Sequence, residues 1–163
     1  MSKKSCFIIT LLVIIIITYA LFSKSEKNVY ADLAERMPLS SDAIKKGLMP
    51  EAGDVVVIDK GGFVRKADLA NSTLVIGVVS TKPAHVLRNM IQESVPVALS
   101  GVVPCKVTDE NGIIKPGDLL VASSKPGCAM KAPKQILPGS VIGKALDSQD
   151  SPEDNVLMLV MNR

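Results

Sequence analysis

The stretch GDVVVIDKGGFVRKA (53–67) returns as GDLLVASSKPGCAMKA (117–132), and Val-Ile-Gly follows each copy, at 75–77 and at 141–143. From the Gly of Gly-Asp to the Lys of Lys-Ala is 13 residues in one copy and 14 in the other. From the same Gly to Val-Ile-Gly is 22 and 24 residues. Motifs that recur in one order at matched spacings mark a duplication, here offset by about 64 residues. That period exceeds the solenoid repeats and suits two halves of one barrel.

Each copy has the punctuation of short strands. GDVVVID reads as a strand, KGG as a hairpin turn and FVRKA as the return strand, with TLVIGVVST a buried strand after a linker. The second copy gives GDLLVAS, the turn SKPG, then CAMKA and SVIGKAL. VPVALSGVVPCKVT (95–108) reads as a strand pair and NVLMLVMNR (155–163) as a C-terminal strand. One helical signal follows residue 31: SSDAIKKG, with a serine cap and a closing Gly47, enough for one or two turns. The fold class expected is all-β. We read a compact barrel or β-clip-like roll from a duplicated β unit, preceded by one N-terminal apolar helix.

That helix is the run Cys6–Phe22, flanked by Lys3, Lys4 and by Lys24, Lys27. As a helix it measures about 25 Å, slightly short of the ~30 Å hydrocarbon layer. The leading reading is an uncleaved single-pass anchor with its N-terminus in the cytoplasm and residues 24–163 extracytoplasmic. The alternative is a signal peptide cleaved near Ala31, after Val29-Tyr30-Ala31, and a secreted product. Residues 1–23 are the anchor or signal segment, 24–31 a linker, and 32–163 the duplicated β domain, with repeat halves at about 50–80 and 114–146.

The formal charge of +3 belongs to the N-terminus. Removing Lys3, Lys4, Lys24, Lys27 and Glu26 from the 19 Lys/Arg and 16 Asp/Glu leaves 15 of each in residues 32–163. A neutral body exerts no long-range pull on nucleic acid. Phe63 is its only aromatic, so it offers no stacking platform for single strands or sugars. No nucleic-acid partner and no cofactor are expected.

The string YADLAERMPLSSDAIKKGLMPEAGDVVVIDKGGFVRKA…VIGVVSTKPA resembles a C-terminal module of bacteriophage tail-fibre and neck-appendage proteins and of bacterial proteins that share it. The likeness continues through GVVPCKV, GDLL, GCAMKA and VIGKAL and covers residues 30–161. It implies a β module that assembles as a homo-oligomer, a trimer among the alternatives. It also implies an intramolecular chaperone that cuts itself near the entry motif with acidic residues, which fall here on Asp32 and Glu35.

Read from the residues alone, chemistry is sparse. In the turn-plus-strand motif, Gly53 and Gly117 take the positive-φ corner, while Asp54 and Asp118 cap the turn by accepting a nearby N–H. Gly47 stands where the signal-peptidase box, which this stretch also resembles, carries its nucleophilic serine. His85, the sole histidine, is expected in a solvated loop and makes no metal site by itself. Cys105 and Cys128 have three readings in an oxidising compartment: buried free thiols, a disulfide closing about two dozen residues and worth roughly 3 kcal/mol, or a reactive cysteine. Cys128 matches Phe63 of the first copy, which suggests an inward position. The reading that leads is a non-enzymatic module for assembly, attachment or surface display. A self-cleaving maturation domain and a glycan- or protein-binding module, using the loop Lys82–Ser94, are the alternatives.

Overall fold

The computed structural model describes residues 31–88 and 90–161. The expected N-terminal helix and membrane segment, Cys6–Phe22, lies outside the described residues. Among those described, no helix is long and apolar enough to cross a membrane.

The body is predominantly β. In chain order come β1 (Asp32–Pro38), α1 (Ser41–Lys45), β2 (Val55–Ile58), β3 (Val64–Lys66), β4 (Val75–Val78), β5 (His85–Leu87), β6 (Ser94–Thr108), β7 (Leu119–Ala122), β8 (Ala129–Lys131), β9 (Val141–Ala145) and β10 (Glu153–Val160). α1 is the expected short helix. Its Ser40 cap accepts from Ala43 N at 3.4 Å, and Gly47, at φ 65°, closes it.

The two copies fold alike to the level of register. Val56 opposes Lys66 on β3 and Gly77 on β4; Leu120 opposes Lys131 on β8 and Gly143 on β9. Each triplet has an irregularity at the same step, between Val56 and Val57 and between Leu120 and Val121. The glycine of Val-Ile-Gly is there for space. A Cβ on Gly143 would lie 2.4 Å from Met158 Cγ and 2.5 Å from Leu159 O, and one on Gly77 would lie 2.9 Å from Ala98 O.

The second copy closes. Strands β10-β9-β7-β8-β6 are hydrogen-bonded in sequence and β6 pairs back with β10, giving a five-stranded barrel in which only β6–β8 is parallel. The first copy has the same ring, β1-β3-β2-β4-β6, but two of its joints are single bridges, Leu39↔Val64 and Val79↔Val97. So the copies do not form two halves of one barrel. Each wraps its own interior, and they are fused through one strand.

That strand is β6, and it corrects the reading of 95–108 as a strand pair. Residues 94–101 pair with β1 and residues 102–108 with β10, so each end completes a different copy. A strand with a full set of partners at both ends has no reason to turn. Two other elements went unread, β1 and the three-residue β5, which lies parallel to β1 at the sheet edge.

Strand alternation sorts the core. Val56, Val64, Val79 and Val97 fill the first interior with Leu39 and Val95. Their counterparts Leu120, Ala129, Ala145 and Met158 fill the second, with Val107 and Val156. The outward-facing Val55, Val57, Val75, Val78 and Ala98 are not wet; they run into the second copy's core.

Candidate functional site

The Gly-Asp turns come out as structural fasteners. Gly53 and Gly117 sit at φ 83° and 92°, as the turn requires. Asp54 Oδ2 accepts from Glu51 N at 2.7 Å and Asp118 Oδ2 from Lys115 N at 2.8 Å. Each carboxylate then binds the lysine of its own Lys-Ala motif: Lys66 Nζ at 2.9 Å from Asp54, Lys131 Nζ at 2.8 Å from Asp118. These lysines were not singled out from the sequence, although their recurrence at matched distance from Gly-Asp was the available signal.

The two turns differ in setting. Asp54 is 2% exposed, takes a third bond from Lys106 Nζ at 2.7 Å and is capped by Gly127, where a Cβ would lie 2.7 Å from Oδ1. Asp118 is 21% exposed and, among the described residues, forms its ion pair with Lys131. Burial pushes the Asp118 carboxyl up, but the Lys131 ammonium and the Lys115 amide outweigh it and hold the group below the ordinary carboxylate range. Both carboxylates are engaged within the fold, Asp54 by two lysines and Asp118 by one.

Around Asp54 lies a hollow of about 350 Å³ between the copies, lined by Lys66, Lys106, Lys125, Cys128 and Glu153. Its lysines are engaged: Lys106 also reaches Glu51, and Lys125 pairs with Glu153. Cys128 is 7% exposed and opens onto this polar hollow instead of an apolar interior; its counterpart Phe63 is 42% exposed. The position is thus buried at Cys128 and exposed at Phe63, and Cys128, a turn residue one step before β8, alternates away from the barrel-facing Ala129. Cys105 shares the face of Val107, which pairs with Ala129, so it points to the opposite side from Cys128. Both are free thiols in this structure, and burial raises both above the ordinary thiol range.

The two entry acids are likewise separated. Asp32 is buried on β1, 6% exposed, on the face it shares with Ala34 and its partner Ala98, with Oδ2 lacking a hydrogen-bond partner. Burial raises its carboxyl, and the adjacent Ser80 hydroxyl offsets part of this without reaching hydrogen-bond geometry. Glu35 alternates to the other face, where Arg88 Nη1 sits 3.3 Å from Oε1. His85 stands in β5 instead of a loop, exposed. Lys82–Ser94 is pinned near its end, with Leu39 N donating to Glu93 O and Ser94 Oγ to Ile91 O, while Met90 is 92% exposed. Ser124 Oγ donates to Glu110 Oε2, and the neighbouring Lys125 pairs instead with Glu153. Among the described residues no group of three or more His, Cys, Asp or Glu is placed to hold a metal.

No protein-family model and no curated protein matches the chain. Among solved structures it is similar to the pre-mature bacteriophage phi29 gene product 12, at TM-score 0.55 and 17% identity over 82% of this chain. The chain spans 22% of that protein. At this identity the likeness is one of fold: the body has a phage-appendage-like β architecture.

Proposed function

We propose that the chain is a non-enzymatic β module for assembly, attachment or display, held outside the cytoplasm by its N-terminal segment. The observation that carries this reading is how the ionisable side chains of the repeated motif are spent. Asp54, Asp118, Lys66 and Lys131 stitch turns to strands, Lys106 adds a second cation at Asp54, and each is engaged in an ion pair even where Asp54, Lys66 and Lys106 line the hollow between the copies. The appendage-like fold supports an assembly role. Surface biotinylation of intact cells with a membrane-impermeant reagent tests the location. Labelling of exposed lysines such as Lys134 supports export, and labelling only after lysis refutes it.

A second reading, a self-cleaving maturation domain, is favoured by one observation: Asp32 is a buried carboxyl with an unbonded oxygen at the start of β1. Against it, Glu35 faces the other way and is engaged by Arg88. The purified full chain followed on a denaturing gel for days decides. A single unchanged band removes this reading; a cut between Ala31 and Glu35 that Asp32→Asn abolishes installs it.

A further inference from the structure

The duplication lets one copy report what the other lacks. In the first copy, the outward row Val55, Val78 and Ala98 is fully buried. A loop of the second copy helps to cover it: Gly127 O accepts from Val55 N, Gly127 N donates to Ala67 O, and Ala122 O accepts from Asn71 N. The register equates that row with Leu119, Lys144 and Leu159 of the second copy. There the row is partly open. Leu159 is 38% exposed, and Leu119 and Lys144 line a hollow of about 390 Å³ with Ile136, Leu137, Pro138 and Val141. Ile136 and Leu137 are 38% and 45% exposed. Among the described residues nothing takes the place that the Ala122–Gly127 loop takes over the first copy.

The first-copy counterpart of that covering loop is the turn from Ile58 to Phe63. It is uncovered too, and it presents two large apolar side chains, Ile58 at 44% and Phe63 at 42% exposed. Phe63 is the only aromatic in residues 32–163, and aromatic anchors seated in apolar pockets dominate interface energetics. We propose that a second copy of this chain seats its Ile58–Phe63 turn, led by Phe63, in the Leu119–Ile136–Leu137 hollow. The contact repeats between chains the packing already made between copies within one chain. It is head to tail, so it closes into a ring or extends as a filament. The inference deepens the assembly reading by naming the surfaces.

The test is analytical ultracentrifugation of the purified full chain in mild detergent. The wild type is expected to associate. Phe63→Asp and Leu137→Asp, both at exposed sites, should each weaken association at least about tenfold while keeping the wild-type circular dichroism. An equimolar mixture of the two should form 1:1 dimers and nothing larger, because each supplies the surface the other has lost. Met90→Asp, elsewhere on the surface, should associate as the wild type does. A photo-crosslinker at position 63 should join residues 136–138 of another chain; this reports on an unaltered hollow should Leu137→Asp not fold. A monomeric wild type overturns the proposal, as do variants that associate normally, which would assign association to another segment. A mixture that stays monomeric excludes the head-to-tail contact. A monomer whose Leu137→Cys becomes shielded from a water-soluble maleimide only on phosphatidylcholine vesicles gives the hollow to lipid instead. These measurements use purified protein, so their failure leaves the cell-surface labelling result standing, and the converse holds.

Discussion

The duplicated Gly-Asp turn supplies its own control, so removing the same carboxylate twice isolates burial. In Asp54→Ala the lost groups are a turn bond, worth about 1 kcal/mol net, and the centre of a two-lysine cluster. Breaking a buried pair costs about 3–5 kcal/mol where the orphaned charge stays buried. The Lys66 and Lys106 side chains are 22% and 33% exposed, so their ammonium groups rehydrate in part. We therefore set the total for Asp54→Ala at about 2–4 kcal/mol. Asp118→Ala loses an equivalent turn bond, but its one pair has a carboxylate 21% exposed and a lysine 36% exposed. A pair of that kind is worth below about 1 kcal/mol, for a total of about 1–2. Urea unfolding followed by circular dichroism measures both variants. Asp54→Asn, which keeps the acceptor for Glu51 N and drops the charge, should fall between wild type and Asp54→Ala. Equal losses for Asp54→Ala and Asp118→Ala, or a larger loss for the second, would show that the lysine cluster contributes nothing beyond the turn.

Three further outcomes are expected. Gly143→Ala should destabilise by about 3 kcal/mol or more, since both Met158 and the backbone of Leu159 block the new methyl; a thermal melt within a degree of wild type would contradict the close approach. Asp118 has a folded pKa below its unfolded one, so it contributes stability above the unfolded carboxylate value that is lost as pH falls through the folded one. The stability gap between wild type and Asp118→Asn should therefore shrink on acidification, and a gap constant from neutral to acid pH would refute the assignment. Cys105 and Cys128 should resist a thiol reagent in the native state and react on unfolding. Rapid native labelling of Cys105, or an intact mass showing the two joined, would refute their opposed orientation.

Reading the repeat recovered the strands of each copy, the cap of α1 and the role of Gly-Asp, because all of these are local. Val55–Ile58 announce a strand as an unbroken run of β-branched residues between turn signals, and a capping Asp needs only an amide three residues away. Partners across the fold were less visible. Lys106 reaches Asp54 from 52 residues away, and nothing in GVVPCKV marks it. The β1 strand was hidden because DLAERMP mixes polar residues with helix formers, and pairing with β6 overrides that preference. β5 has three residues and no periodicity long enough to read.

By itself the amino-acid sequence determined that the body is β, that it is written twice, and which short turns carry Gly and Asp, since each follows from side-chain size and reach within one copy. Only the tertiary structure decided how the copies join. Residues 94–108 become a single shared strand once both ends find partners, so two interiors form where one was expected. The same joint buries Val55, Val78 and Ala98 yet leaves Leu119 and Leu159 partly open. Val55 and Leu119 are both aliphatic, as are Ala98 and Leu159, and what differs between them is whether a neighbour arrives to cover them.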